Sequence, residues 1–135
     1  MATRKPTTAS AAVSIDERVE EALAWLKKHA SPATREGMAR YAIPADNALG
    51  VAVKDIKALG SKLGRDQALA QALWKTGIYE ARMLVQFVGD PTSITAREMD
   101  AWCRAFDNWA YCDALAFNLF DRTPHAWAMV DKWCA

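Results

Sequence analysis

Apolar residues recur every three or four positions along most of this chain, in short runs separated by residues that start or stop helices. Two capping boxes, S-x-x-E at Ser14 and T-x-x-E at Thr95, mark helix starts. A cap residue followed by proline marks two more, at Ser31 and Thr123. No run of four to eight residues alternates as a half-buried strand does. The pattern predicts seven or eight short helices and an all-α fold.

The predicted helices follow one another with short turns. They cover Ser14 to about His29, Ser31 to about Tyr41, Val53 to Leu59, Asp66 to Lys75, Ile78 to Val88, Thr95 to Phe106, Asp107 to about Phe120, and a last segment with Trp127 and Val130. Gly60 is predicted to end its helix in the left-handed conformation, and Asp107 to cap the next-to-last helix. Residues 42–52 are predicted to form a loop. Antiparallel pairs of such helices stack into a solenoid or a compact irregular bundle, and periodicity alone leaves both open.

The chain of 135 residues has the length of one domain. Residues 1–13 are rich in Thr, Ser, Ala and Pro and are predicted to be a disordered tail, so the helical domain is expected over residues 14–135. The last helix, WAMVDKWCA, has apolar residues but no cap or polar tail after it. We therefore expect the front portion of a longer solenoid, or a chain that self-associates through this helix.

Composition and net charge indicate how the chain could bind a nucleic acid. Apolar residues make up 52% and charged residues 24%, as in a globular protein, and the net charge of +1 gives no overall attraction to nucleic acid. A phosphate backbone would need a local basic cluster, which Lys54, Lys57, Lys62 and Arg65 form around two helix ends; an ordinary solvated surface is the alternative.

Other sequence features exclude several classes of protein. Three cysteines cannot close a disulfide framework, and no apolar run is long enough for a membrane span, which favours a cytoplasmic protein. His29 and His125 lack metal-ligand spacing to each other or to the cysteines, so no metal site is expected.

The segment FDNWAYCDALAFNLF carries the strongest candidate chemistry. Asp113 lies among apolar residues, and Trp109, four residues before it, shares its helix face. An aromatic wall beside a carboxylate suits a substrate that develops positive charge. The alternative is a core tryptophan beside an aspartate bonded to the backbone or to Arg104.

Two stretches carry a family resemblance: ARYAIPADNALGVAVKDIKALGSKLGRDQALAQALWKTGIYEARMLVQFVGDP, and MDAWCRAFDNWAYCDALAFNLF with its D-x-W-x-x-x-D frame. From about Leu23 onward the chain resembles the DNA alkylation repair family, the AlkD-like helical-repeat DNA glycosylases. The resemblance implies a HEAT-like superhelix of stacked helix pairs that holds duplex DNA on its concave face. It also implies excision of N3- and N7-alkylated purines without a metal or organic cofactor, in a bacterial-type cytoplasm at the nucleoid.

The same resemblance assigns roles to two residues. Asp113 matches the catalytic carboxylate that stabilises the sugar cation and helps to position the attacking water, and Trp109 matches the tryptophan that packs on the deoxyribose. A further tryptophan and an arginine of the family come from later helices, and neither Trp127 nor Trp133 is an obvious substitute. On this basis we expect activity from the full-length protein and little activity from the 135-residue chain by itself.

The sequence also allows an alternative function, and it contains a further charge pair. The alternative function is a non-catalytic helical-repeat module that binds nucleic acid or protein, with Asp113 in an internal hydrogen bond. Glu80 and Arg82, in GIYEARML, also match a family-like stretch, and a solvated or helix-stabilising charge pair is their ordinary interpretation.

Overall fold

The computed structural model describes residues 13–135, so the predicted tail lies outside the described residues except for Val13. Within this range the chain forms eight α-helices and two short 3-10 turns, Met38–Tyr41 and Phe120–Arg122. The helices are α1 Ile15–Lys28, α2 Pro32–Gly37, α3 Val53–Leu63, α4 Gln67–Lys75, α5 Tyr79–Val88, α6 Ala96–Arg104, α7 Trp109–Asn118 and α8 Ala126–Cys134. None of these helices is both long and apolar enough to cross a membrane.

The helices alternate between two layers. In one layer α5 packs between α3 and α7, and in the other α1 packs against α4. The indole rings of Trp74 on α4 and Trp102 on α6 stack with centroids 5.1 Å apart, which continues the second layer. Helix α4 also packs against α5, so α5 is surrounded, and Ala81, Leu84 and Val85 have no exposed surface. The predicted all-α fold of stacked antiparallel helix pairs is confirmed.

Most predicted helix starts are confirmed by side-chain caps. The hydroxyls of Ser14, Ser31 and Thr95 each accept a hydrogen bond from the backbone N–H three residues later. Thr123 is an exception, since its hydroxyl is buried and donates to the Phe120 carbonyl at 2.8 Å. Helix α8 consequently begins two residues after Pro124, at Ala126.

The predicted cap of α7 was wrong by one residue. Asn108 is the cap, and its Oδ1 accepts the backbone N–H of Tyr111 at 3.1 Å. The Asp107 carboxylate instead accepts a hydrogen bond from the Asn108 side-chain amide at 2.8 Å. The amide of Asn108 can do both because its oxygen and its nitrogen serve different partners.

The prediction for Gly60 was also wrong. Helix α3 continues through Gly60 to Leu63, and Gly64, with φ of +73°, is the left-handed residue after its end. Gly60 is needed for packing, because a Cβ there would lie 2.6 Å from the Cβ of Phe87 on α5. Close approach of α3 to α5, and not chain reversal, explains this glycine.

The two sides of α8 differ. On one side Asp100 of α6 accepts hydrogen bonds from Trp133 Nε1 at 3.1 Å and Arg104 Nε at 3.0 Å, and lies 3.5 Å from Lys132 Nζ. These groups, the Trp133 bond foremost, lower the pKa of Asp100 below its usual value. On the other side Trp127 is 84% exposed, and with the exposed Phe117 it lines an apolar groove of about 360 Å³.

Substituting Gly60 tests the close contact between α3 and α5. Alanine in a helix is ordinarily better than glycine by about 0.5–1 kcal/mol, whereas forcing a methyl group into a packed site costs about 1–3 kcal/mol. We expect Gly60→Ala to lower the free energy of unfolding, measured in urea, because the added carbon meets Phe87.

Gly37→Ala is the matched control. Gly37 has helical φ and ψ of −64° and −21°, and nothing lies within 4 Å of a Cβ added there. This variant should be as stable as the wild type or slightly more stable. A Gly60→Ala protein that gains stability to the same extent would contradict the packing account.

Candidate functional site

Trp109 and Asp113 lie on the first turns of α7, and both are exposed. Trp109 is 51% exposed, although tryptophans are on average largely buried. The Asp113 carboxylate makes no hydrogen bond or ion pair with any described residue. Their spacing of four residues places the ring and the carboxylate on one face of the helix.

The Trp109 ring is held at its edge by a distant part of the chain. Its Nε1–H donates to the backbone carbonyl of Tyr41 at 2.6 Å. Tyr41 ends a 3-10 turn, and Ala42 after it has φ of +55°, in the left-handed region. The hydrogen bond from the indole to the Tyr41 carbonyl restricts how the ring can rotate.

The loop that follows Tyr41, residues 42–52, is fastened by the start of α5. Glu80 has no exposed surface, and its carboxylate accepts backbone N–H groups of Leu49 at 2.8 Å, Gly50 at 3.0 Å and Val51 at 3.4 Å. The backbone N–H of Tyr79 donates to the Asn47 carbonyl at 2.8 Å. Much of the loop is thus bound to two neighbouring residues at one helix end.

Glu80 and Arg82 therefore do not form the expected solvated or helix-stabilising charge pair. Arg82 Nε donates to the Trp74 carbonyl at 3.1 Å, and its guanidinium lies 4.6 Å from the centroid of the Trp74 ring. The role of Glu80 was missed, although one sequence signal was available: a single acid flanked by Tyr79, Ala81 and Met83 in a strongly apolar helix.

Burial and charge also affect the tyrosines beside this region. Burial, and then the charge of Glu80, raise the pKa of Tyr79 to about 12. Burial likewise raises the pKa of Tyr111 on α7, against the opposing effect of Arg82. Both phenols are protonated at neutral pH and so add no charge beside α7.

The structure separates the four basic candidates into two kinds. Lys54, Lys57 and Lys62 are exposed on α3 and form no ion pair with a described residue. Arg65 donates to three backbone carbonyls, those of Gln86 and Gly89 at 2.8 Å and Asn118 at 3.2 Å. Its guanidinium joins the ends of α5 and α7, and these bonds occupy much of its donor capacity.

An apolar groove lies beside the start of α3. It has a volume of about 320 Å³, and both Tyr41 and Val53 line it. Tyr41 is 66% exposed and its carbonyl contacts Trp109, while Val53 directly precedes Lys54. The groove thus lies between the first turn of α3 and Tyr41, whose carbonyl holds the Trp109 ring.

No group of three or more His, Cys, Asp or Glu side chains within residues 13–135 is arranged to hold a metal ion. The Trp109–Asp113 face offers a carboxylate and an aromatic surface, which can stabilise a cationic sugar and pack on its ring. The exposed ammonium groups of α3 can neutralise phosphates.

Comparison with known proteins gives one family match: the model described as DNA alkylation repair enzyme matches residues 22–135. The chain belongs to the DNA alkylation repair enzyme family. The match includes Trp109 and Asp113, Glu80 with loop 42–52, and the three lysines of α3.

A solved structure supports the fold of this family member. It is described as representing "a new family of proteins related to the HEAT-like repeat DNA glycosylases with affinity for branched DNA structures". The superposition has a TM-score of 0.76 with 22% sequence identity over 85% of this chain, and the chain spans about half, 48%, of that structure. No curated protein gives a significant match.

Proposed function

We propose that this member of the DNA alkylation repair family contributes to a DNA glycosylase that hydrolyses the bond between deoxyribose and an N3- or N7-alkylated purine in duplex DNA. The observation that carries the proposal is the exposed pair on α7, Trp109 with its ring held by Tyr41 and Asp113 without a described partner. Family membership supports the same assignment. We place its action on chromosomal DNA in the bacterial cytoplasm, with no cofactor.

The proposed reaction suits a lone carboxylate. Alkylation at N3 or N7 gives the purine a positive charge, so the bond from C1′ to the base breaks with both electrons going to the departing base. The sugar is left as an oxocarbenium ion, which the Asp113 carboxylate stabilises by its charge. A water molecule then adds to C1′ and loses a proton, which completes the hydrolysis.

Trp109 has a different role in this proposal. Its exposed ring face packs against the deoxyribose of the damaged nucleotide, and the π electrons add to the attraction for the developing cation. The hydrogen bond at the indole edge leaves the ring face open to the sugar. A site on an exposed helix also needs no deep pocket for the base, in contrast to enzymes that extrude it.

The catalytic role of Asp113 is tested by Asp113→Asn in the full-length protein. We expect the rate of release of 7-methylguanine and 3-methyladenine from alkylated duplex DNA to fall by a factor of about 10² or more, because the amide cannot balance the sugar cation. Asp121→Asn, an exposed aspartate outside the α7 face, serves as the control and should release base at the wild-type rate. Equal release by wild type and Asp113→Asn would refute the assignment.

The basic cluster is tested by changing the three lysines of α3 to glutamine together. We expect weaker binding to undamaged duplex DNA and a shallower dependence of log K on log salt, by about 0.9 for each phosphate that the variant no longer neutralises. Changing Lys27, Lys28 and Lys75 to glutamine removes the same charge from the other layer and should alter the slope less. Identical slopes for the two triple variants would exclude a specific role for α3.

A second candidate function is a non-catalytic module for DNA of unusual shape. The similar solved structure is described as having affinity for branched DNA structures, and it shares the helical architecture with this chain. This alternative predicts binding to a four-way junction in preference to a linear duplex, with no base released from alkylated DNA by wild-type protein.

We further propose that the apolar groove of α8 joins two copies of the chain. The exposed Phe117, Trp127 and Val130 make its surface, and exposed apolar groups of this size usually contact a partner. Light scattering on the 135-residue chain should give the mass of a dimer, and Trp127→Ser should shift it to the monomer. Val53→Ser, at an exposed apolar residue elsewhere, is the control. A wild-type monomer at all concentrations would contradict the proposal.

A further inference from the structure

We propose that Glu80 is a positioning residue for the Trp109–Asp113 face, acting through loop 42–52 and the Tyr41 carbonyl; this inference rests on the proposed function. Glu80 touches neither Trp109 nor Asp113. Its influence passes along the loop backbone, which it binds at one end and which presents the Tyr41 carbonyl at the other.

Glu80 binds one end of the loop through several hydrogen bonds. A carboxylate without exposed surface needs donors for its charge, and here the donors are three consecutive backbone N–H groups of residues 49–51. Gly50 has φ of +87°, and a Cβ there would lie 2.4 Å from the Ser31 carbonyl oxygen. The loop is thus pressed between Glu80 and the start of α2, in a conformation with little freedom.

Other hydrogen bonds hold the loop between the residues that Glu80 binds and Tyr41. Arg35 Nε donates to the carbonyls of Ala45 at 3.2 Å and Ala48 at 3.1 Å. The N–H of Ile43 donates to the Met38 carbonyl at 3.1 Å, which closes the turn that contains Tyr41. Bonds to a helix or turn recur along the loop from residue 43 to residue 51, so a shift at Glu80 is transmitted toward Tyr41.

The hydrogen bond between the Tyr41 carbonyl and Trp109 limits the orientation of the indole ring. Trp109 is half-exposed, and its ring Nε1–H is held by the Tyr41 carbonyl. Loss of that bond gives the ring additional rotamers beside Asp113. The ring then spends less time in the one orientation that packs on the sugar. This slows the reaction although no reacting group has been removed.

The experiment is a double-mutant cycle of Glu80→Gln with Trp109→Phe, in the full-length protein. Phenylalanine keeps an aromatic ring but has no N–H for the Tyr41 carbonyl. We expect each single variant to slow release of 7-methylguanine in a single turnover by about tenfold, and the double variant to be no slower than either, because both remove the same connection. Glu21→Gln, an exposed glutamate of α1, is the control.

A purely structural role for Glu80 gives a different result. Lower stability would reduce the rate by the same factor in both backgrounds, so the effects of Glu80→Gln and Trp109→Phe would multiply. That outcome would overturn the inference. If Glu80→Gln does not fold, Arg35→Gln loosens the same loop from its exposed side and takes its place in the cycle.

A second readout does not depend on catalysis. In spectra of protein with ¹⁵N-labelled tryptophan, the Nε1–H signal of Trp109 is the one that disappears in Trp109→Phe. We expect its exchange with solvent deuterium to be about tenfold faster in Glu80→Gln, with little change for the buried Trp74. Unchanged exchange at Trp109 would overturn the inference, whereas absence of base release by wild type would overturn only the proposed function.

Discussion

A carboxylate removed from water must be matched by donors, and the position of Glu80 imposes this requirement at the centre of the molecule. Helix α5 is packed between α3, α4 and α7, so its first turn cannot move to expose the charge. The loop backbone must come to the carboxylate instead, and it does so with three N–H groups. The buried carboxylate thus fixes residues 49–51, at one end of the loop whose other end follows Tyr41, the residue that binds Trp109.

The helical architecture could be predicted from the sequence because the signals for it are local. A serine or threonine cap contacts a backbone N–H three residues away, and an apolar stripe follows from the helical repeat, so Ser14 and Thr95 were assigned correctly. Gly60 was misassigned because the reason for the glycine is Phe87, which is distant in sequence. Asp107 was misassigned because aspartate and asparagine are both good cap residues, and in the structure Asn108 is at the cap position.

In the candidate site, too, the local features could be predicted from the sequence and the long-range contacts could not. The spacing of Trp109 and Asp113 within one helix was sufficient to place them on one face, and their resemblance to a family motif gave them roles that remain to be tested. The contact of Trp109 with Tyr41 spans 68 residues and has no local sequence signature. The same is true of Arg65, whose charge suggested a phosphate contact but whose donors bind the ends of two helices.

Contact between the Trp109–Asp113 face and the damaged nucleotide is tested most directly by a titration. The sample is ¹⁵N-tryptophan-labelled full-length protein, titrated with a short duplex that contains a stable abasic-site analogue. We expect the indole signal of Trp109 to shift at saturation, while that of Trp102, buried in the other layer, stays in place. A Trp109 signal that does not move when the DNA is bound would show that this face does not contact the damaged nucleotide.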